Sequence, residues 1–111
     1  MRAHGKMIPS SGGGALVASR IVSTKPINLR SIMVLNTGGA QYIQLFQSAT
    51  LPANGTVPDL PALSVGAAST TMFDFGENGI DLDALTVCNS STAASKTLGA
   101  ADCSIVAIIG G

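Results

Sequence analysis

From Ala15 onward this chain is divided into short apolar or alternating runs, each closed by glycine, proline or an Asn-Gly pair. Runs of that length and spacing read as strands, with side chains alternating between two faces. Residues 15–24 form the first, closed by Lys25-Pro26. In residues 27–36, Ile27, Leu29, Met33 and Leu35 share one face, with Ser31 the exception. Ile32 and Val34 fall on the other, so this strand is expected to be buried on both sides. Thr37-Gly38-Gly39 is a turn signal, and residues 40–48 read as the return strand of a hairpin. There Tyr42, Gln44 and Phe46 alternate with Ile43 and Leu45.

Residues 50–63 differ. Pro52, Pro58 and Pro61 surround Asn54-Gly55, and each proline removes a ladder donor, so this segment is expected to be an extended loop crossing between sheets. A short edge strand is expected at Leu63 to Val65. Another strand spans residues 70–75, is stopped by Gly76 and Asn78-Gly79, and is followed by a short one at Ile80 to Leu82. Residues 85–89 and 102–109 close the domain. The second of these is apolar almost throughout, as a central strand would be. Residues 92–101 could form one helical turn capped by Ser91 or Thr92. No internal repeat is visible. The expected fold is all-β: an antiparallel sandwich, jelly-roll or Greek-key like, of roughly seven to eight short strands. Residues 1–14, ending in Ser10-Ser11-Gly12-Gly13-Gly14, read as a flexible N-terminal arm, and residues 15–111 as one domain.

Composition narrows the function. Hydrophobic residues make up 46% of the 111 residues, enough for one core, while charged residues are only 11% and the formal net charge is zero. A freely diffusing monomer usually keeps a charged surface. A surface of Ser, Thr, Asn, Gln and Gly suits packing against neighbours, where every buried charge would need a partner. Neutrality also argues against nucleic acid, because Arg20, Lys25, Arg30 and Lys96 are scattered. Arg2, His4 and Lys6 are the one local concentration, and they mark the arm as a candidate docking element for an acidic partner surface. No apolar stretch suits a signal peptide or a membrane span, so the chain is expected to be made in a cytoplasm and to stay soluble. The glycosylation-like triplets at Asn54 and Asn89 carry no meaning without secretion.

The search for chemistry is negative. The sole histidine, His4, lies in the expected arm and gives a Ser or Cys nucleophile no well-held base. Asp74, Glu77, Asp81 and Asp83 cluster in one loop, yet the position twelve residues into a calcium loop starting at Asp74 is Leu85, so the pattern fails and turn chemistry is preferred. Gly12-Gly13-Gly14 lacks the Lys-Ser/Thr of a phosphate loop. Tyr42, Phe46, Phe73 and Phe75 read as core or interface packing. No metal, cofactor or catalytic residue is expected, and the chain is read as not an enzyme. Cys88 and Cys103 are equidistant from the middle of the connection between the last two strands. If those strands pair as a hairpin centred there, the thiols are cross-strand neighbours close enough to bridge. A cytoplasmic origin favours reduced, buried thiols instead.

Tyr42-Ile43-Gln44-Leu45-Phe46-Gln47-Ser48-Ala49-Thr50-Leu51-Pro52, followed by Asn54-Gly55-Thr56-Val57-Pro58, resembles a stretch found in small proteins of tailed bacteriophages. The segment from Leu29 to Thr37, Gly79-Ile80 and Thr92-Ala93-Ala94 look like the same family. Gln47 departs from the pattern, where Asp is expected. The resemblance implies a β-sandwich virion protein of the capsid cement or decoration type. It would be a dimer or trimer, contacting the major capsid protein through sheet edges and the arm, with no nucleic acid or membrane partner. The alternative is a tail or fibre module that binds host-surface glycans, which needs a solvent-accessible Tyr42.

Overall fold

A computed structural model describes residues 5–8 and 16–110. Every helix or strand among them is a strand: β1 (Gly5–Ile8), β2 (Ser19–Ser23), β3 (Ile27–Asn36), β4 (Gln41–Phe46), β5 (Leu63–Val65), β6 (Ser69–Asp74), β7 (Ile80–Leu82), β8 (Leu85–Ser90) and β9 (Cys103–Gly110). One sheet has the order β1-β9-β3-β6, with β7 also on β3, and the other the order β2-β8-β4-β5. All pairs are antiparallel.

The pairs nest. β4 meets β5, β3 meets β6 and β7, β2 meets β8, and β1 meets β9. The chain is thus one long hairpin, rolled so that β3 also meets β9 and β4 also meets β8. That is jelly-roll topology, in which β6 and β7 act as one strand in two pieces. Leu29, Ile32 and Val34 of β3, Ile43 and Leu45 of β4, Leu85 and Val87 of β8, and Ile105 and Ala107 of β9 fill the space between the sheets. Burying each large aliphatic side chain contributes about 1.5–3 kcal/mol.

Four local expectations change. β3 and β4 do not form a hairpin, because they lie in opposite sheets. The Asn36 side chain folds the corner between them, donating to the Gly39 carbonyl at 2.9 Å and accepting from the Gly38 N–H at 3.0 Å. β3 pairs instead with β9 on one side and with β6 and β7 on the other. The loop after β4 returns to β5 in the same sheet rather than crossing. β3 is not buried on both faces. Its register against β9 shifts between Leu29 and Ser31, so a bulge at Arg30 reverses the alternation. Ile27 and Leu29 therefore face inward with Ile32 and Val34, while Met33 and Leu35 face outward. Residues 92–101 form no helical turn; Ser90 Oγ accepts from the Thr92 and Thr97 N–H groups and holds them as an irregular loop.

Within the segment expected to be a flexible arm, Gly5–Ile8 is a strand, with Gly5 opposite Gly110 and Ile8 opposite Ala107. Val17 then pairs with Cys103 at the start of the same β9. By Ser19 the chain has moved to the other sheet, opposite Cys88. This path closes one side of the sandwich.

Candidate functional site

The outer face of the β3 sheet is built by the Arg30 bulge. Beyond it, Met33 stands between Met72 of β6 and Val106 of β9, and Leu35 between Thr70 and Ser104. Met33, Leu35 and Met72 are 37%, 43% and 53% exposed, and Val106 and Ile108 are half-buried. Among the outward positions that β3, β6 and β9 place together after the bulge, Asp74 carries the one charge. An uncharged apolar row on an open sheet face is a feature that marks an interaction surface.

The outer face of the central β4–β8 pair is covered by the chain's own loops, while Ile21 of the flanking β2 is 47% exposed. The pair's outward residues Gln44, Phe46, Thr86, Cys88 and Ser90 are all buried. Gln44 Nε2 donates to the carbonyls of Thr92, Ala93 and Ser95 at 2.9, 3.2 and 3.0 Å. The hydroxyl of Thr86 donates to the Ser48 carbonyl at 2.7 Å. Lys96, 3% exposed, donates through Nζ to Asn54 Oδ1 at 3.1 Å. Its backbone N–H and C=O pair with Thr56 and Gly55, both at 2.8 Å. Residues 44–56 are thus the stretch that holds these loops down. At the position where Asp was expected, Gln47 Oε1 accepts from the Asp83 N–H at 3.0 Å, and the Gln47 N–H donates to Asp59 Oδ2 at 2.7 Å.

The two cysteines are not cross-strand neighbours. β8 and β9 lie in different sheets, and both thiols are free and buried. Cys88 alternates with the core residue Val87 and so faces outward, under the loop that carries Lys96. Cys103 belongs to the interior cluster. Around Cys103 the interior ends in a plug of paired polar groups. Gln41 Nε2 donates to Asn36 Oδ1 and to Asp102 Oδ1, both at 2.9 Å. Asn89 Nδ2 donates to the Ala100 carbonyl at 2.6 Å and to Asp102 Oδ1 at 3.1 Å. The Cys103 thiol lies 3.4 Å from Asp102 Oδ1. Buried amides are tolerated because they are paired, and here they seal one end of the sandwich. Burial pushes both thiols from an ordinary value of 9.0 up to about 11. At neutral pH they are protonated and poorly nucleophilic, so the arrangement packs rather than reacts.

The acidic loop serves the turn between β6 and β7. Asp74 Oδ1 accepts from the Gly76 N–H at 2.9 Å, and Asp81 Oδ1 from Asn28 Nδ2 at 2.8 Å. Among the described residues no group of three or more His, Cys, Asp or Glu could hold a metal ion. Of the arm's cationic cluster, Arg2 and His4 lie outside the described residues, and Lys6 occupies β1 opposite Ile109. Sequence reasoning missed the outer face of the β3 sheet, because it placed Met33 and Leu35 with Leu29. The one-residue bulge that separates them leaves no mark in the alternation.

No family model, curated protein or solved structure matches the chain.

Proposed function

We propose that this chain is a non-enzymatic structural subunit of a tailed-phage virion. In this reading it is a capsid cement or decoration protein, made in the host cytoplasm, that stabilises the shell by binding the major capsid protein. The observation that carries the assembly reading is the uncovered row Met72–Met33–Val106, with Leu35 beside it. A chain with 11% charged residues has little else on its surface to set against that row. The virion itself comes from the resemblance of residues 42–58. Jelly rolls recur in viral capsid, lectin and cupin proteins, so the fold agrees with the reading without choosing it.

The test is binding of the purified protein to shells that lack it, alongside its copy number per virion. The Met33→Lys and Leu35→Lys double variant is expected to fold and to bind about ten-fold more weakly or worse. A copy number matching the shell's subunits is expected. A handful of copies, unchanged shell binding by the double variant and measurable glycan binding would replace this reading with the tail-module alternative. Tyr42, which that alternative needs accessible, is half-buried on the covered face.

A further inference from the structure

The free edges of the two sheets are defended unequally. A bare edge invites pairing with another chain, and proteins blunt it with charge, proline, bulges or brevity. β1 carries Lys6, and Pro9 follows it. β2 carries Arg20 and a register shift between Ile21 and Ser23. β5 and β7 are three residues each. β6 has no cation, proline, bulge or brevity to blunt it, and its one charge, Asp74, sits at its last position. Its six residues, Ser-Thr-Thr-Met-Phe-Asp, contain no proline, glycine or cation, and they pair with β3 in unbroken register from Ser69 to Asp74.

The direction of its backbone follows from one hydrogen bond. The Phe75 N–H donates to the Arg30 carbonyl at 2.9 Å, toward β3. Backbone groups alternate along a strand, so Phe73, Thr71 and Ser69 also face β3. The N–H and C=O of Asp74, Met72 and Thr70 face away, toward an edge where no described strand lies.

We propose that β6 pairs with β6 of a second copy, antiparallel, about a two-fold axis passing between the two Met72 residues. All three residues with outward backbone groups are used in that register: Met72 opposite Met72, and each Thr70 opposite Asp74. Roughly six N–H···O=C bonds form. The strand is self-complementary in charge. Its one acid faces a threonine in this register, whereas a parallel arrangement in register would set Asp74 against Asp74. A two-fold axis perpendicular to the sheet keeps the outer faces on the same side. The row Val106–Met33–Met72 then continues without a break into Met72–Met33–Val106 of the second copy, as an isologous interface requires. A foreign strand would supply the hydrogen bonds but not the second half of this row. The inference rests on the geometry of the edge and is independent of the virion reading.

The experiment is analytical ultracentrifugation of the full chain over a concentration series. The native protein is expected to reach a dimer. Met72→Pro removes an N–H that points away from β3, toward an edge where no described strand lies, a place where an edge strand tolerates proline. It is expected to stay monomeric with an unchanged circular dichroism spectrum. Should that variant fail to fold, Met72→Lys sets two ammonium groups face to face and is expected to weaken the dimer at least about ten-fold. Met72→Cys reads the register: opposed Cα atoms about 5.5 Å apart fit a disulfide. With a mild oxidant this variant is expected to run as a covalent dimer on a non-reducing gel, while the native protein, its own thiols buried, does not. A native chain that stays monomeric at every concentration overturns the proposal. So does a dimer that survives both Met72→Pro and Met72→Lys, or one that Met72→Cys fails to link. A native monomer whose shell binding is lost in Met72→Lys assigns the edge to a foreign strand, and that also overturns it.

Discussion

Gly38 lies so close to Asp102 that a Cβ on the glycine would overlap the aspartate carboxylate. The neighbouring Thr37 binds the same residue, its N–H and its hydroxyl both donating to the Asp102 carbonyl at 2.9 Å. The corner where the chain leaves one sheet for the other is thereby fastened to the residue that leads into β9. The Asp102 carboxylate cannot swing aside freely, because Gln41 and Asn89 hold it. Gly38→Ala is therefore expected to cost about 1–3 kcal/mol in urea unfolding. Gly39→Ala, with nothing within 4 Å of the added carbon, is expected to stay within about 0.5 kcal/mol of the native protein. Equal effects at the two positions would refute the role given to the Asp102 contact.

Ala68 has a positive φ of 46°, in the turn that carries the chain from β5 to β6. Its N–H donates to the Gly38 carbonyl at 3.1 Å, so the turn cannot relax without losing that bond. The left-handed region costs a residue with a Cβ roughly 1–2 kcal/mol, and glycine escapes most of that cost. Ala68→Gly is expected to raise stability by about 0.5–1 kcal/mol, after the larger entropy of glycine in the unfolded chain is subtracted. A lowered thermal midpoint would show that the methyl group packs usefully there.

The two thiols make stability depend on alkaline pH. Both are raised by burial from 9.0 to about 11, so the folded protein holds its thiol protons more tightly than the unfolded chain. Below about pH 9 both states are protonated and nothing is lost. As pH rises from about 9 to 11 the unfolded chain ionises first, and stability falls by up to about 1.4 kcal/mol per pH unit for each thiol. Urea unfolding at several pH values in this window checks the slope, which is expected to flatten in the Cys88→Ala and Cys103→Ala double variant. Thiol titration is expected to find two free groups in the denatured, unreduced protein and slow labelling in the native one. A single disulfide and no free thiol would contradict the placement of Cys88 and Cys103 on opposite faces of different sheets.

Gln44 holds the loop that covers the central β4–β8 pair. Its Nε2 reaches three carbonyls of residues 92–95, its acceptors among the described residues. Gln44→Ala is expected to cost about 1–3 kcal/mol, because the loop carbonyls lose a buried donor. Limited proteolysis is expected to cut residues 91–97 faster in the variant. Unchanged cleavage would mean that the loop is held by Lys96 and Ser90 alone.

Much of the architecture was legible in the chain. Short alternating runs broken by Gly, Pro and Asn-Gly marked out β3, β4, β5, β6, β7, β8 and β9 close to their observed bounds, because alternation and turn chemistry are local properties. The split of Ile43 and Leu45 from Tyr42, Gln44 and Phe46 followed from the same pattern, and the structure decided that Ile43 and Leu45 face inward. β1 was hidden, since Gly-Lys-Met-Ile has no alternation long enough to register and gains its place from β9. The candidate surface was hidden too. Met33 and Leu35 share sequence parity with Leu29, and only the register slip against β9 at Arg30 sets them on the opposite face.

The sequence by itself determined that this is a charge-poor chain of short strands with enough apolar residues for one core. Which strand lies beside which was decided by the tertiary structure, and the cysteines show why. Equal spacing about a midpoint is a symmetry of the chain, but pairing is set by which partners bury the most apolar surface and satisfy the most backbone groups. β9 lies between β1 and β3 rather than beside β8. Cys88 and Cys103 were therefore separated by the sandwich, and the row containing Met33 was left facing outward on an open sheet.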